Sequence, residues 1–500
     1  MERLLEAAII KEAKKRLARH SQRLYYARKY QEAFEKRTGQ TAFTRTSTLP
    51  SSWSFHRHYD PRYCINHARF LARGLWRSLR GGSYEPVAAL RSGHQKPDGG
   101  MRYIDAFSIP DAAVATIFMR NLRKRNAKIF SDSSFAYQEG KTPLDAVLRL
   151  KTLLVGEKIF ISQYDFSKFF DSIGHPYIDK LVSSDGPFLT TTMERQIISA
   201  MMRHSFQYDG VVDRRTVGTP QGNSISLFIS NAAAHPLDQR LSRINGSFVR
   251  FADDSVVVNY SYEDALRCAE VYRRFSLDSG VALNRIKSTG IRLFSEQAAE
   301  LATLPHFDFL SYRFSTRGLL VSDRSIRAIK MRCTRIIYNH LLLYPRRTGR
   351  IGRNRVGNRF YDWDLVTCIN ELRNYIYGGL KQRDLDRYLS GIIGIKNIAG
   401  AVSYFSLVDD SSQFRELDGW LINVLDRALR RRVEMVRTMR RRPRHRLPTR
   451  EELIEGTWYR FSIGMETRAP SFFTAWRAAK KSWSQHGLGG VDAIGAGYSY

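Results

Sequence analysis

Four residues, Phe251-Ala252-Asp253-Asp254, constrain this chain more than any other stretch of it. Phe248-Val249-Arg250, apolar at its first two positions, precedes them and the β-branched stretch Ser255-Val256-Val257-Val258 follows. That pattern predicts two strands joined by a tight turn, with adjacent carboxylates at the tip. Like charges so placed repel, and a divalent cation between them removes the cost of keeping both ionised. Taken alone, an Asp-Asp pair is also an ordinary turn, because Asp favours turns.

A metal site needs a further acid from another strand. Apolar positions in residues 160–164, Phe-Ile-Ser-Gln-Tyr, lead up to Asp165, which is therefore expected where a buried strand opens onto a cleft. Asp165, Asp253 and Asp254 are the candidate ligands of two Mg²⁺ ions, for which Mn²⁺ would substitute. Two metals about 3.5–4 Å apart activate an attacking hydroxyl and stabilise the leaving oxygens of an in-line displacement. Phosphoryl transfer is the chemistry expected.

Further motifs surround the acids in an order that resembles a reverse transcriptase from about Lys96 to Leu320. Lys96-Pro97-Asp98-Gly99-Gly100-Met101-Arg102 is similar to the first fingers motif of group II intron, retron and bacterial defence-associated enzymes, and Ile109-Pro110-Asp111 follows it. Residues 166–173, Phe-Ser-Lys-Phe-Phe-Asp-Ser-Ile, resemble motif A, and 218–226, Gly-Thr-Pro-Gln-Gly-Asn-Ser-Ile-Ser, resemble motif B. Phe251-Ala252-Asp253-Asp254 is similar to motif C, Leu283-Asn284-Arg285-Ile286-Lys287-Ser288 to motif D, and 307–314, Phe-Asp-Phe-Leu-Ser-Tyr-Arg-Phe, to the primer grip.

The resemblance implies an α+β right-hand polymerase fold with an antiparallel palm sheet, and an RNA-directed DNA polymerase that copies an RNA template into cDNA from deoxynucleoside triphosphates. It implies metal ligation by Asp165, Asp253, Asp254 and the Phe166 backbone carbonyl. Lys96 and Arg102, flanking a turn, would carry cations to the triphosphate. Gly218, Pro220 and Gly222 let backbone approach a base pair, and Gln221 supplies a hydrogen bond there. Phe166 and Phe170 belong to the same nucleotide site. In the resembling enzymes the position of Phe170 lies beneath the sugar, so a bulky ring excludes a 2′-hydroxyl. Lys287 would neutralise or protonate the departing pyrophosphate. Each segment has a plainer reading in isolation: a solvated hairpin, a Gly-Pro turn before a helix, a core aromatic, a surface lysine.

Within that family, the segments for a Cys/His-rich endonuclease, an integrase, a ribonuclease H or the retron Val-Thr-Gly signature are not evident. The remaining pattern is most similar to the defence-associated class, which implies antiphage immunity, a partner non-coding RNA and homo-oligomerisation. The alternatives are a group II intron-type enzyme with maturase activity and, in another class, a catalytically inert RNA-binding scaffold. Leu227 stands where related intron enzymes usually carry proline, so handling of the template is expected to differ.

Composition agrees with a polyanionic partner: 80 Lys and Arg against 48 Asp and Glu give a formal net charge of +32. Four scattered cysteines, Cys64, Cys268, Cys333 and Cys368, form no CxxC spacing and fit a reducing cytoplasm. No apolar run reaches the roughly 18 residues of a membrane span, so no membrane is expected as a partner.

The chain is expected to divide into a helical N-terminal extension (1–85), fingers and palm (86–322), a helical thumb (323–420) and a basic helical C-terminal region (421–500) with a glycine-rich tail. Arg430-Arg431-Arg432 and Arg440-Arg441-Arg442-Pro443-Arg444-His445-Arg446 lie near Trp458, Tyr459, Phe472, Phe473, Trp476 and Trp483. That mixture suits either an RNA-binding surface or a packed domain with a charged face. Tyr498 and Tyr500, on the tail, are candidate protein primers, each offering a phenol in place of a 3′-hydroxyl.

Overall fold

The protein was examined as a computed structural model, which describes all residues except 42–48, 96–98, 353–354, 357–361, 441–446, 459–465 and 494–500. Among the described residues the strands are β1 (Ala89–Gln95), β2 (Met101–Ala106), β3 (Phe160–Tyr164), β4 (Ser205–Tyr208), β5 (Val211–Arg214), β6 (Ser247–Phe251), β7 (Asp254–Asn259), β8 (Thr289–Leu293), β9 (His306–Phe309), β10 (Tyr312–Ser315) and β11 (Gly318–Val321). They form three sheets of order β2-β1-β4-β5, β6-β7-β3-β8 and β11-β10-β9. The fold is α+β, and every pairing in the second sheet is antiparallel.

Two compact units are formed. The first comprises residues 1–24, 46–141 and 148–304, and the second 25–45, 142–147 and 305–500. The sequence boundaries at 85 and 322 are not where these units part. A single helix, Glu2–Thr38, contributes to both, and the sheet β9–β11 belongs with the helices that follow it.

In the first unit, the sheet β6-β7-β3-β8 is apolar on its buried face, and the helix Tyr262–Ser279 covers it. Tyr272 stacks on Tyr164 at 3.7 Å between ring centroids and donates its hydroxyl to Ser255 at 2.8 Å. Such an aromatic pair contributes about 0.5–1.5 kcal/mol beyond the area it buries. The helix Ile225–Leu241 is buried along nearly its whole length, which its Ala232-Ala233-Ala234 run permits. Leu5, Ile9 and Ala13 of the N-terminal helix enter the same core.

In the second unit, the helices Asp323–Tyr338, Trp363–Tyr377 and Ser412–Arg440 present apolar stripes to a common interior, including Ile329, Cys333, Ile369, Leu421 and Leu425. Arg432 is fully buried there. It donates to Asp362 at 2.6 and 2.9 Å, to Asp364 at 2.7 Å and to the Leu341 carbonyl at 2.8 Å. The arginine run 430–432 is therefore not wholly an outward RNA-binding surface. Trp458, Phe472 and Trp476 are likewise buried in the packing rather than offered to bases. Tyr459 and residues 441–446 lie outside the described residues. All four cysteines are buried and unbridged.

Candidate active site

The hairpin β6–β7 closes through a two-residue turn, Ala252-Asp253, between the paired residues Phe251 and Asp254. Ala252 sits at φ 60°, a left-handed conformation that normally takes glycine at the first position of such turns. A non-glycine residue held there costs about 1 kcal/mol or more, and it persists where its surroundings over-determine it. The over-determining group is Arg250. Its buried guanidinium donates to the Ala252 carbonyl at 2.9 Å, to Asp238 at 2.8 and 2.6 Å, to Asn231 at 3.2 Å and to Ser134 at 2.8 Å. The hairpin tip is thus tied to the helix Ile225–Leu241 and to the segment around Ser134.

Strands β3 and β7 are antiparallel, with Tyr164 paired to Ser255. The same register carried one residue further sets Asp165 opposite Asp254, which brings the three predicted acids to one end of the two central strands. Burial raises the pKa of Asp253, and the charge of Asp165 adds to the shift. Asp254 is pushed up to about 7 by burial, then by Asp253 and Asp165. Asp165 itself accepts from Asn284 Nδ2 at 3.1 Å and lies 3.4 Å from Lys287 Nζ. Backbone bonds hold that segment in place, with Asn284 N donating to the Asp165 carbonyl at 2.9 Å.

Among the described residues, no three acidic, His or Cys side chains are gathered at the spacing of a metal site. The donor chemistry nevertheless fits a hard cation. The acids offer oxygen alone, and their mutual repulsion is the cost that a bound divalent ion removes. Asp165, Asp253 and Asp254 are the residues that would hold it.

The nucleotide-site candidates form a second cluster in the same unit. Arg102, on β2 and exposed, donates Nε to Gln221 Oε1 at 2.7 Å. Gln221 donates Nε2 to Asp171 Oδ2 at 3.2 Å. Gly222 adopts φ 111°, and a Cβ there would stand 2.8 Å from the Asp105 carbonyl oxygen, so this loop approaches β2 as only glycine allows. Phe170 is half-buried against the core, with its carbonyl accepting from Thr219 N at 2.6 Å. Phe166 is buried among Phe169, Tyr272 and Phe275. Lys96, Tyr498 and Tyr500 lie outside the described residues.

Several residues here carried no motif. Tyr137, at φ 60°, has its phenol pushed up to about 12 by burial and then by Asp253, and it also feels Arg102. Asn284 and Asp171 stood inside quoted motifs without an assigned task. Asp105, on β2, is fully buried and anchors Arg91 at 2.7 and 3.0 Å and Arg215 at 2.9 Å, with His204 3.3 Å away. The sequence held no signal for it, because its burial comes with partners on other segments, Arg91, His204 and Arg215.

Residues 94–314 match the family model described as reverse transcriptase (RNA-dependent DNA polymerase). This stretch, less than half of the chain, spans the sheet carrying the acids and the Arg102–Gln221 cluster. It is a reverse transcriptase domain, the domain of RNA-directed DNA polymerases. One curated relative, an uncharacterised 91 kDa protein in a cob intron of Schizosaccharomyces pombe, is 26% identical over 156 residues, 31% of this chain and 18% of that protein. The chain therefore matches less than a fifth of that relative's length.

Two telomerase structures are also similar. One, from Candida tropicalis, has a TM-score of 0.36 at 11% identity over 51% of this chain and 60% of that one. The other, from Candida albicans in complex with a fragment of telomeric RNA, has a TM-score of 0.38 at 10% identity over 72% and 63%.

Proposed function

We propose that the chain is an RNA-directed DNA polymerase that extends a primer on an RNA template by metal-assisted phosphoryl transfer. The observation that carries this reading is the β3–β7 register, which sets Asp165 across from Asp254 with Asp253 on the adjoining turn. Asp165, Asp253, Asp254 and the Phe166 carbonyl would hold Mg²⁺, which supplies activation of the attacking hydroxyl and charge neutralisation on the phosphates. Arg102 and Gln221 orient the incoming deoxynucleoside triphosphate, Phe170 excludes a 2′-hydroxyl, and Lys287 meets the departing pyrophosphate. Primer extension on an RNA template tests this directly. Mg²⁺-dependent incorporation by the wild type, abolished in Asp253→Ala and Asp254→Ala, is expected; undiminished synthesis in both variants overturns the assignment.

The finer role we propose is antiphage defence in a reducing cytoplasm, with a non-coding RNA as template. The long helical region that follows β11, from Asp323 onward, supports it. The likeness to a protein in a cob intron of Schizosaccharomyces pombe favours a second reading, an intron-encoded enzyme with maturase activity. Sequencing the nucleic acid that copurifies separates them: a discrete non-coding RNA with its cDNA supports defence, and a flanking group II intron supports the second.

A further inference from the structure

Gln221 stands between two partners of opposite kind. Arg102 Nε lies 2.7 Å from its amide oxygen, and Asp171 Oδ2 lies 3.2 Å from its amide nitrogen. A guanidinium only donates and a carboxylate only accepts, so the two together permit one orientation of the amide. Asp171 is held in turn. Arg215 Nη1 stands 3.8 Å from it, while the other arm of Arg215 donates to the buried Asp105 at 2.9 Å. Asp105 also fixes the Gln221 backbone, its N–H donating to the Gln221 carbonyl at 2.8 Å. The loop carrying Gln221 packs on the turn carrying Asp171: a Cβ on Gly218 would stand 2.6 Å from Asp171 backbone atoms.

We propose that Asp171 is a positioning residue, which fixes the flip of the Gln221 amide and through it holds Arg102 extended for the triphosphate of the incoming nucleotide. The inference rests on the reading of this site as a nucleotide-polymerising centre. Asp171→Asn presents a donor as well as an acceptor, so that side chain no longer selects the Gln221 flip, and the flipped amide turns its NH₂ toward Arg102, where two donors oppose each other. Arg102, exposed and without this brace, then samples other rotamers, and the triphosphate must order it on binding.

The test measures dTTP use on a poly(rA)/oligo(dT) substrate, together with equilibrium binding of dTTP to the protein–primer–template complex in Ca²⁺. Asp171→Asn is expected to raise KM for dTTP, and to weaken dTTP binding, by about tenfold, with kcat within twofold and primer–template affinity unchanged. Arg102→Ala gives a similar loss, and the double variant is no worse than Arg102→Ala alone. Asp171→Glu, which keeps an acceptor-only side chain, restores KM to within about threefold of wild type. If the Asn variant folds poorly, Asp171→Ser, which also donates, gives the same rise.

Wild-type KM in Asp171→Asn and Asp171→Ser, or additive losses in the double variant, overturns the proposal. A wild type that binds dTTP in an Asp171-dependent manner yet never extends a primer supports the proposal and overturns the polymerase reading instead.

Discussion

At the scale of single residues, Arg250 does most to hold the candidate site in shape. It is a buried charge whose partners, Asp238 above all, are as buried as it is. Removing one member of such a pair strands the other, typically at 3–5 kcal/mol, whereas removing both is far less costly. Arg250→Met is accordingly expected to lose about 3 kcal/mol or more in urea denaturation. Arg250→Met with Asp238→Leu should recover much of that stability. Activity is not expected to return with it, because the Ala252 carbonyl at the hairpin tip stays without its donor. Phe170 makes a narrower claim: Phe170→Ala is expected to raise ribonucleotide incorporation relative to deoxynucleotide, and equal selectivity in primer extension would remove the sugar-gate argument.

The acids at 165, 253 and 254 were legible in the sequence because apolar and β-branched segments that read as strands lead up to them or follow them. The groups that hold them were not. Asn284, Tyr137 and Asp171 become partners of the site only through pairings between segments far apart in the chain, and a spacing rule sees only near neighbours. Arg250 carried no reading of its own in the sequence, and its partner Asp238 lies on a separate helix.

At the scale of elements, the sheet β2-β1-β4-β5 is organised around Asp105. Burial would raise this carboxyl, but His204, Arg91 and Arg215 hold it well below the usual carboxylate range. A carboxylate so lowered in the folded state contributes stability that is fully present above its ordinary pKa, about 3.9, and is lost as pH falls through its lowered value. Thermal midpoints measured from about pH 5 down to pH 2 should therefore fall, and they should fall less steeply in Asp105→Asn than in wild type. Equal slopes would show that the cluster does not govern acid stability. The β1–β2 hairpin of this region was readable, since Gly99-Gly100 announced its turn. The parallel contact of β1 with β4 was not, because about a hundred residues separate the two strands.

At the scale of the whole molecule, the excess of positive charge predicts RNA binding that weakens steeply with salt, each phosphate contact adding about 0.7 to the logarithmic slope for a single strand. Asp253→Ala should leave both the affinity and that slope unchanged in filter-binding titrations, since the acids contribute no phosphate contact. A large change in either would mean that the metal ligands also build the RNA surface. Which arginines supply the charge was poorly legible. Arg432 reads in sequence as one of three equivalent cations, yet it lies in the core against Asp362 and Asp364, because helical periodicity turns one of three successive residues inward.

The N-terminal helix has a practical bearing on anyone who wishes to trim this protein. It reads in sequence as an extension outside the motifs, but Leu5, Ile9 and Ala13 are packed into the same core as Tyr164, Phe166 and Phe248, beside the candidate acids. A shortened version beginning near residue 86, drawn to match the recognisable motifs, would uncover that interior to water. Its insolubility or inactivity would then report damaged packing and say nothing about chemistry.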